Sequence, residues 1–242
     1  MVGRAAGQQA YPSKPIRFIV PFAPGGSTTP VARLVGQKLT ESWGQPVIVD
    51  NRPGGNTIIG TEALVKSPPD GYTILFTTSN HVINPLLLPN LPYDAIKDFA
   101  PVATIASGDY VLVLHPSVPA NNLHELIALA KSKPGQLNFA LPSGGGVTHL
   151  AMELFNLMTG VKMQHISYKG AGQLIVDLIG GQTQLSFQTL IVATPHIQSG
   201  RLKAIAVSGE TRKLALPQVP TFTEAGLPGF ELNVWQGILA PA

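Results

Sequence analysis

The chain has 242 residues, of which 44% are hydrophobic and 12% charged, and its formal net charge is +3. This composition is typical of a globular protein with a large core and argues against a disordered chain. Cysteine is absent, which excludes disulfides, cysteine-ligated zinc and thiol catalysis. The basic residues are scattered singly, so no nucleic-acid surface is expected, and no apolar run approaches the length of a membrane span.

Residues 1–10 lack the apolar segment of an intact signal peptide. We interpret them as disordered, either the remnant after a cleavage site or an added tag. The folded part of the chain is predicted to begin at Tyr11.

The first strong pattern is a strand, a glycine turn and a helix. Residues 16–20 alternate and are rich in β-branched side chains, which predicts a strand. Apolar residues at 31, 34, 35 and 39 have the spacing of one helix face, and Thr29 is predicted to cap that helix with Pro30 at its first position. Free backbone N–H groups at a helix start bind carboxylate or phosphate. We therefore expect an anion site at Phe22, Ala23, Pro24, Gly25, Gly26, Ser27, Thr28 and Thr29.

Strand and helix patterns alternate along the rest of the chain. Predicted strands cover 46–50, 72–77, 99–105, 110–114, 137–141, 163–168, 184–187, 203–208 and 233–239. Predicted helices cover 57–65, a segment capped by Asn121 or Asn122, the apolar face from 150 to 158, residues 174–179, and a segment ending at Gly200. The alternation predicts an α/β fold with mostly parallel sheets covered by helices on both faces. Residues 107–109 interrupt the strand pattern, and we place the crossing between two domains there.

A polar stretch follows the predicted strand at 72–77. In open α/β sheets, ligands bind outside the carboxyl ends of the strands, so this stretch is a candidate wall of a binding site. Its candidate ligand-binding residues are Thr78, Ser79 and His81. For His81, a helix-start residue that faces solvent is an equally good interpretation.

A second glycine turn has the same make-up as the first. It follows the strand at 137–141, opens a helix, and contains Ser143, Gly144, Gly145, Gly146 and Thr148. One such loop is equally well explained by a tight strand-to-helix turn that needs glycine. Two loops, one in each half of the chain, favour a clamp on a small anion.

Aromatic and amide side chains near other strand ends complete the candidate site. Tyr168 is the strongest of them, because its hydroxyl needs a hydrogen-bond partner. Phe22 and Phe187 are explained at least as well by core packing. Lys169 could supply a counter-charge, and Gln188 follows the predicted strand at 184–187.

Motifs of several enzyme and metal-site classes are absent. Neither glycine turn ends in the Gly-Lys-Ser/Thr of a P-loop, and the chain has no GxGxxG and no Gly-x-Ser-x-Gly. The six histidines form no HxxxH or HxH pair, so no metal site is expected. Ser143, His149 and Asp177 could form a serine-type triad. Their order in the sequence alone is weak support, because a triad requires the three side chains to lie within hydrogen-bond distance.

Several segments resemble the Bug-type receptors of tripartite tricarboxylate transporters. They are YPSKPIR at 11–17, PFAPGG at 21–26, GQPVIVDNRPG at 44–54, PDGYT at 69–73, KDFAPV at 97–102, YKG at 168–170, LPQVPT at 216–221 and EAGLPG at 224–229. Together they are specific and cover nearly the whole chain from Tyr11 onward.

The resemblance implies a two-lobed periplasmic-binding-protein-like fold of type II, with residues 11–106 and 235–242 in lobe 1 and 107–234 in lobe 2. It implies a periplasmic, cofactor-free and monomeric receptor that is not an enzyme. Such a receptor closes on a carboxylate and delivers it to the membrane subunits of a transporter. By position, residues 23–29 and 143–148 match the two carboxylate loops, and 168–170 and 188–189 match segments that edge the cleft.

Four departures from the family pattern refine this expectation. Thr29 and Gln188 stand where such receptors often have Asp, and Gly145 stands where Asn is common. Losing two acids disfavours a ligand ammonium, so a dicarboxylate or aromatic carboxylate is expected over an amino acid. The family's C-terminal helices are not expected after Ala242. The alternatives are a hydrolase acting on esters or amides of such acids, and an interaction protein that binds no solute.

Overall fold

The computed structural model describes residues 11–242, so the interpretation of residues 1–10 lies outside it. The strands are β1 Ile16–Val20, β2 Val47–Asn51, β3 Thr73–Thr78, β4 Phe99–Leu114, β5 Asn138–Leu141, β6 Gln164–Ser167, β7 Leu185–Thr189, β8 Lys203–Val207 and β9 Asn233–Pro241. The helices are α1 Thr28–Trp43, α2 Ile58–Val65, α3 Asn80–Leu87, α4 Leu123–Ser132, α5 Val147–Thr159, α6 Ala171–Ile179 and α7 Leu190–Gln198. The predicted alternation of strands and helices is confirmed.

The strands form one mixed sheet with two similar halves. In the first half β2, β1 and β3 are parallel, and in the second β6, β5 and β7 are parallel. Every antiparallel pair involves β4 or β9. Parallel pairing therefore describes the βα units of each half, whereas the strands that join the halves are antiparallel.

Strand β4 runs through both halves without interruption. Its residues 99–109 pair with β9, and residues 110–114 pair with β7 and β8. The prediction that 107–109 is a connector is wrong, because these residues pair with Asn233, Val234 and Trp235 of β9. The hydrogen bonds from β9 let Gly108 continue the strand where local sequence preference favours a turn. The halves are thus joined by two paired strands, β4 and β9.

Apolar side chains pack on both faces of each half. In the second half, Phe139, Phe155, Phe187 and Phe222 are among the side chains of one core, while Leu174, Leu178 and Val113 belong to the core on the opposite face. The first half has Phe18 and Phe76 on one face and Leu64 and Leu75 on the other. The predicted layers of helices on both faces of the sheet are confirmed.

Helix α4 shows how local sequence sets an element boundary. The side chain of Asn122 accepts a hydrogen bond from the Glu125 amide at 2.9 Å, and the Glu125 carboxylate accepts from the Asn121 amide at 2.7 Å. The first bond is the predicted cap at Asn122, while the carboxylate of Glu125 binds the amide before the N-cap and not the N-cap amide of a standard capping box. Together they satisfy two otherwise free N–H groups. Among residues 11–242, no helix is both long and apolar enough to cross a membrane.

Candidate functional site

A cavity lies between the two halves at the carboxyl ends of the parallel strands. Its volume is about 110 Å³. This is smaller than the roughly 300–1,000 Å³ of pockets for drug-sized ligands, so the cavity suits a small molecule. Both glycine loops reach it, since Gly26 and Gly146 lie in its wall.

Five helices begin at this cavity. Their capping or first residues line it, namely Ser27 and Thr28 of α1, Ser79 and Asn80 of α3, Gly146 and Val147 of α5, Gly170 and Ala171 of α6, and Thr189 of α7. The first N–H groups of a helix have no intrahelical acceptor, and the helix dipole places partial positive charge there. The converging helix starts therefore create a concave surface that attracts an anion through backbone N–H groups and helix dipoles.

The polar side chains that line the cavity are neutral. No Asp, Glu, Lys, Arg or His occurs among the described lining residues. Gln188 is buried and donates to the Ser186 hydroxyl at 2.8 Å, and the buried Oε1 of Gln236 has no partner among the described residues. Burial raises the pKa of Tyr110 well above its usual range, so its phenol stays a neutral hydrogen-bonding group. The cavity can therefore bind a carboxylate by hydrogen bonds but offers no anion to a ligand ammonium.

The first glycine loop is held by Asn51 at the end of β2. The Asn51 amide donates to the Phe22 carbonyl and to the Thr29 hydroxyl, both at 2.9 Å. The prediction that Thr29 caps α1 is therefore wrong. The helix begins two residues earlier than predicted, at Thr28, and Ser27 is its N-cap without a side-chain cap bond. The Thr29 hydroxyl instead accepts a hydrogen bond that connects the loop to β2.

The second glycine loop is tied to the helix that follows it. Gly145 has φ +80°, a conformation that side chains other than glycine rarely adopt. Its N–H donates to Nδ1 of His149 at 2.9 Å. This bond fixes the peptide between Gly144 and Gly145, while Ser143 and Gly146 on either side face the cavity.

The two halves touch beside the cavity through glycines. A Cβ built on Gly25 would lie 2.7 Å from Cα of Gly172, and one on Gly172 would lie 2.9 Å from the Pro24 carbonyl oxygen. Both distances are shorter than real Cβ contacts. Only backbone fits between the first loop and the start of α6, so the two halves meet closely around the cavity.

Most of the predicted site residues lie in the cavity wall. Those that line it are Phe22, Ala23, Gly26, Ser27, Thr28, Thr78, Ser79, Ser143, Gly146, Thr148 and Gln188. Pro24, Gly25 and Thr29 face a neighbouring groove near Arg33, while Gly144 and Tyr168 face another near Asn56. Gly145 and His81 line none of these spaces.

His81 is the clearest misplacement among the predicted site residues. It is buried against Phe99, with ring centroids 4.6 Å apart, and its Nε2 lies 2.7 Å from the Ala95 carbonyl oxygen. Burial lowers the pKa of this imidazole. Asn80 lines the cavity instead. Neighbouring residues in a helix point about 100° apart, so with Asn80 directed to the cavity, His81 faces the core.

Tyr168 also differs from its predicted role. Its hydroxyl donates to the Asp177 carboxylate at 2.9 Å. Burial, followed by the bond to Asp177, raises the pKa of Tyr168. The hydroxyl therefore has a partner within its own half of the protein, away from the cavity.

Some lining residues were missed by sequence analysis, namely Tyr110, Val192, Val234 and Gln236. Asn80 belongs to the polar stretch that was predicted as a wall, but it was not chosen as a ligand-binding residue. Tyr110 and Gln236 are on the strands that join the halves, far apart in sequence, and local pattern gives no sign that they meet. Gly170, Ala171, Phe187 and Thr189 adjoin segments that the family resemblance had indicated.

The residues of the hypothetical hydrolase triad bind other partners. Nδ1 of His149 accepts from Gly145, and Asp177 accepts from Tyr168 and from Gln173. No hydrogen bond among residues 11–242 joins Ser143, His149 and Asp177 into a relay. The geometry thus gives the hydrolase alternative no support.

The structure does bring together one cluster of metal-ligating types that sequence spacing did not indicate. Candidate ligand atoms of His149, Glu153 and His165 lie within 4.8 Å of one another. With Nδ1 of His149 accepting from Gly145, neutral imidazole carries its proton on Nε2, which faces Glu153. That protonation state leaves His149 no free lone pair for a metal, so these residues do not fit a metal centre as arranged.

The fold and the cavity together have the architecture of a two-halved α/β binding protein, with a cavity between the halves. A sequence profile described as "Tripartite tricarboxylate transporter family receptor" matches residues 31–242. Protein BugT of Bordetella pertussis is 41% identical over 233 residues, which cover 96% of this chain and 72% of BugT. The chain therefore belongs to the tripartite tricarboxylate transporter receptor family, as its motifs predicted.

Solved structures agree with this assignment. The R. palustris protein Rpa4515 with adipate has a TM-score of 0.93 at 34% identity, covering 96% of this chain and 78% of that one. MatC from Rhodopseudomonas palustris with bound malate has a TM-score of 0.89 at 31% identity, covering 96% of this chain and 79% of that one. The similar proteins are thus periplasmic-binding-type structures, two of them with a dicarboxylate.

Proposed function

We propose that this protein is a solute-binding receptor that captures a small dicarboxylate, or an aromatic carboxylate, in the cavity between its halves. The observation that carries the proposal is the convergence of five helix N-termini on a cavity whose lining residues, within 11–242, carry no charged side chain. Hydrogen bonds to a charged group contribute about 1.5–3 kcal/mol each, so a handful gives micromolar affinity. The two relatives with bound adipate and malate support the ligand class.

We assign one carboxylate to the first loop at Ser27 and Thr28, and the bridging contact to Ser143 and Thr148 of the second loop. The ligand stabilises the closed arrangement by the difference in its affinity for the closed and open states. The halves, with their boundary in the middle of β4, act as the two closing lobes. The β4–β9 pair is the hinge.

Gln188 supports selection against amino acids. It lies in the cavity wall and offers no anion to an ammonium group, whereas Thr29 lies outside that wall and binds Asn51. An α-amino acid would have to leave its ammonium unpaired in a partly dry cavity, which is costly. We complete the proposal with function as a monomer in the periplasm and delivery to transporter membrane subunits. Family membership supports the periplasmic location and the transporter partner.

Isothermal titration calorimetry with adipate, malate, benzoate and glutamate tests this function. We expect micromolar binding of adipate, malate or benzoate and at least tenfold weaker binding of glutamate. Ser143→Ala should weaken binding modestly, while Gly26→Val should weaken it more, because a Cβ at Gly26 already lies 3.2 Å from that of Ala171. Tight glutamate binding without binding of the other acids would reject the ligand assignment, and turnover of an ester of these acids would favour the hydrolase.

A further inference from the structure

We propose that His149 is a positioning residue for the second glycine loop, and that protonation of its imidazole releases this loop and weakens carboxylate binding. The inference rests on the proposed function of the cavity. It gives the receptor a pH-sensitive group, His149, which does not itself line the cavity.

The connection between His149 and the loop is a single directed hydrogen bond. The N–H of Gly145 donates to Nδ1 of His149 at 2.9 Å. Gly145 has φ +80°, and its neighbours Gly146 and Ser143 both line the cavity. The imidazole thus holds the peptide between Gly144 and Gly145 in place. The next residues, Gly146, Val147 and Thr148 at the start of α5, line the cavity, so the position of this peptide sets where they lie.

The bond requires a lone pair on Nδ1, so it exists only with a neutral imidazole. The proton of the neutral ring is then on Nε2, which lies 3.7 Å from a carboxylate oxygen of Glu153. An imidazolium carries protons on both nitrogens. Its Nδ1–H would oppose the N–H of Gly145, and the loop would have to turn or move away.

Two titratable groups face His149, and they act in opposite directions. His165 on β6 has its ring centroid 4.6 Å from that of His149, and Glu153 is one helical turn further along α5. The loop at 142–146 contributes no titratable side chain. Burial and His165 lower the pKa of His149, whereas Glu153 raises it.

The sign of the pH effect follows from this environment. The folded protein favours neutral His149, so the Gly145 bond is present above the ordinary histidine range, near pH 6.5. It is lost as the pH falls through the lowered pKa of His149. Losing one hydrogen bond that organises the binding loop should weaken ligand affinity about three- to tenfold.

The test compares adipate binding by wild type, His149→Asn and His149→Ala at pH 7.5, 6.5 and 5.5. The Asn side chain can place an acceptor oxygen near the position of Nδ1 and does not titrate. We expect wild type and His149→Asn to bind alike at pH 7.5. Wild type should become weaker than His149→Asn as the pH falls, by about three- to tenfold once His149 is protonated. Titration of adipate itself affects both proteins equally and cancels in this ratio.

His149→Ala should bind weakly at every pH, and His165→Gln, which leaves the Gly145 bond intact, should still lose affinity in acid. Equal pH profiles for wild type and His149→Asn would overturn the inference. If wild type binds no carboxylate at all, the proposed function fails. In that case an NMR pH titration tests the inference. The amide resonance of Gly145 must shift with the same midpoint pH as the ring resonances of His149.

Discussion

Asn84 and Asn56 hold each other through two hydrogen bonds of opposite direction. Nδ2 of Asn56 donates to Oδ1 of Asn84 at 2.7 Å, and Nδ2 of Asn84 donates to the Asn56 carbonyl at 2.8 Å. Asn84 is fully buried. Asn56 and Thr57 have φ values of 52° and 78°, in the left-handed region, which asparagine tolerates better than most residues and β-branched threonine rarely adopts. The buried amide therefore stabilises an unfavourable backbone beside the second glycine loop.

Removing this amide should destabilise the protein. We expect Asn84→Ala to lower the free energy of unfolding by about 1–3 kcal/mol, because it leaves the Asn56 carbonyl and amide unpaired near a strained turn. Urea denaturation measures the change. The matched control is Asn90→Ala, at an exposed position, which should have little effect. Equal stability of both variants would show that the turn holds its shape without Asn84.

A methyl group at Gly172 should hold the two halves apart. Its Cβ would lie 2.9 Å from the Pro24 carbonyl oxygen, and this glycine does not have the positive φ that would strain alanine. We expect Gly172→Ala to weaken adipate binding by about five- to one-hundredfold, consistent with an overpacking cost of about 1–3 kcal/mol. The melting temperature without ligand should change little, because the open form avoids the contact.

Gly180→Ala is the control for this prediction. It adds the same methyl group at the other end of α6, where φ is −76°. We expect it to bind adipate like wild type. Normal affinity of Gly172→Ala would mean that the contact between Pro24 and Gly172 is not needed in the bound state.

A negative charge at position 188 should change ligand preference. Gln188 is buried in a cavity wall without charged side chains. Gln188→Glu should reduce affinity for dicarboxylates at least tenfold at pH 7.5, because like charges repel strongly in a partly dry site. It should affect an α-amino acid less, since the new carboxylate can pair with the ammonium.

Calorimetry of Gln188→Glu beside Gln198→Glu separates a local effect from a change in net charge. Gln198 is exposed, so its substitution should leave binding nearly unchanged. A uniform loss for every ligand would point to damage of the cavity instead of altered selectivity.

The Asp50 carboxylate should contribute to stability at neutral pH. Although burial alone would raise its pKa, hydrogen bonds from Arg17 and Arg52 hold the pKa of this carboxyl below its ordinary value. Nε of Arg17 lies 2.9 Å from Oδ2 of Asp50, and Nε of Arg52 lies 3.0 Å from the same oxygen. The contribution is fully present above the unfolded pKa, about 3.9, and is lost as the pH falls through the lowered folded value.

Asp50→Asn measures this contribution directly. Wild type should be more stable than the variant at pH 7, and the difference in unfolding free energy should shrink steadily below about pH 4. A difference that stays constant down to pH 2 would mean that ionisation of Asp50 does not matter to folding.

Local sequence was sufficient to predict elements whose boundaries are set by neighbouring residues. The side-chain cap at Asn122 is such a case, since the amide that it accepts from belongs to the nearby Glu125. The cap of α1 was mispredicted because Asn51, 22 residues away, binds the Thr29 hydroxyl. Helix phase decided between Asn80 and His81, and this phase depends on the contacts of His81 with Phe99 and Ala95.

The sequence by itself determined the βα order, the two neutral glycine loops and membership in the receptor family, because backbone conformation and motif identity are encoded locally. Tertiary structure alone decided that β4 runs through both halves and pairs with β9, and that Tyr110 and Gln236 meet the two loops at one cavity. Strand pairing across more than a hundred residues depends on which edges remain free once each half has folded. That information is in the assembled sheet and in no single segment of the chain.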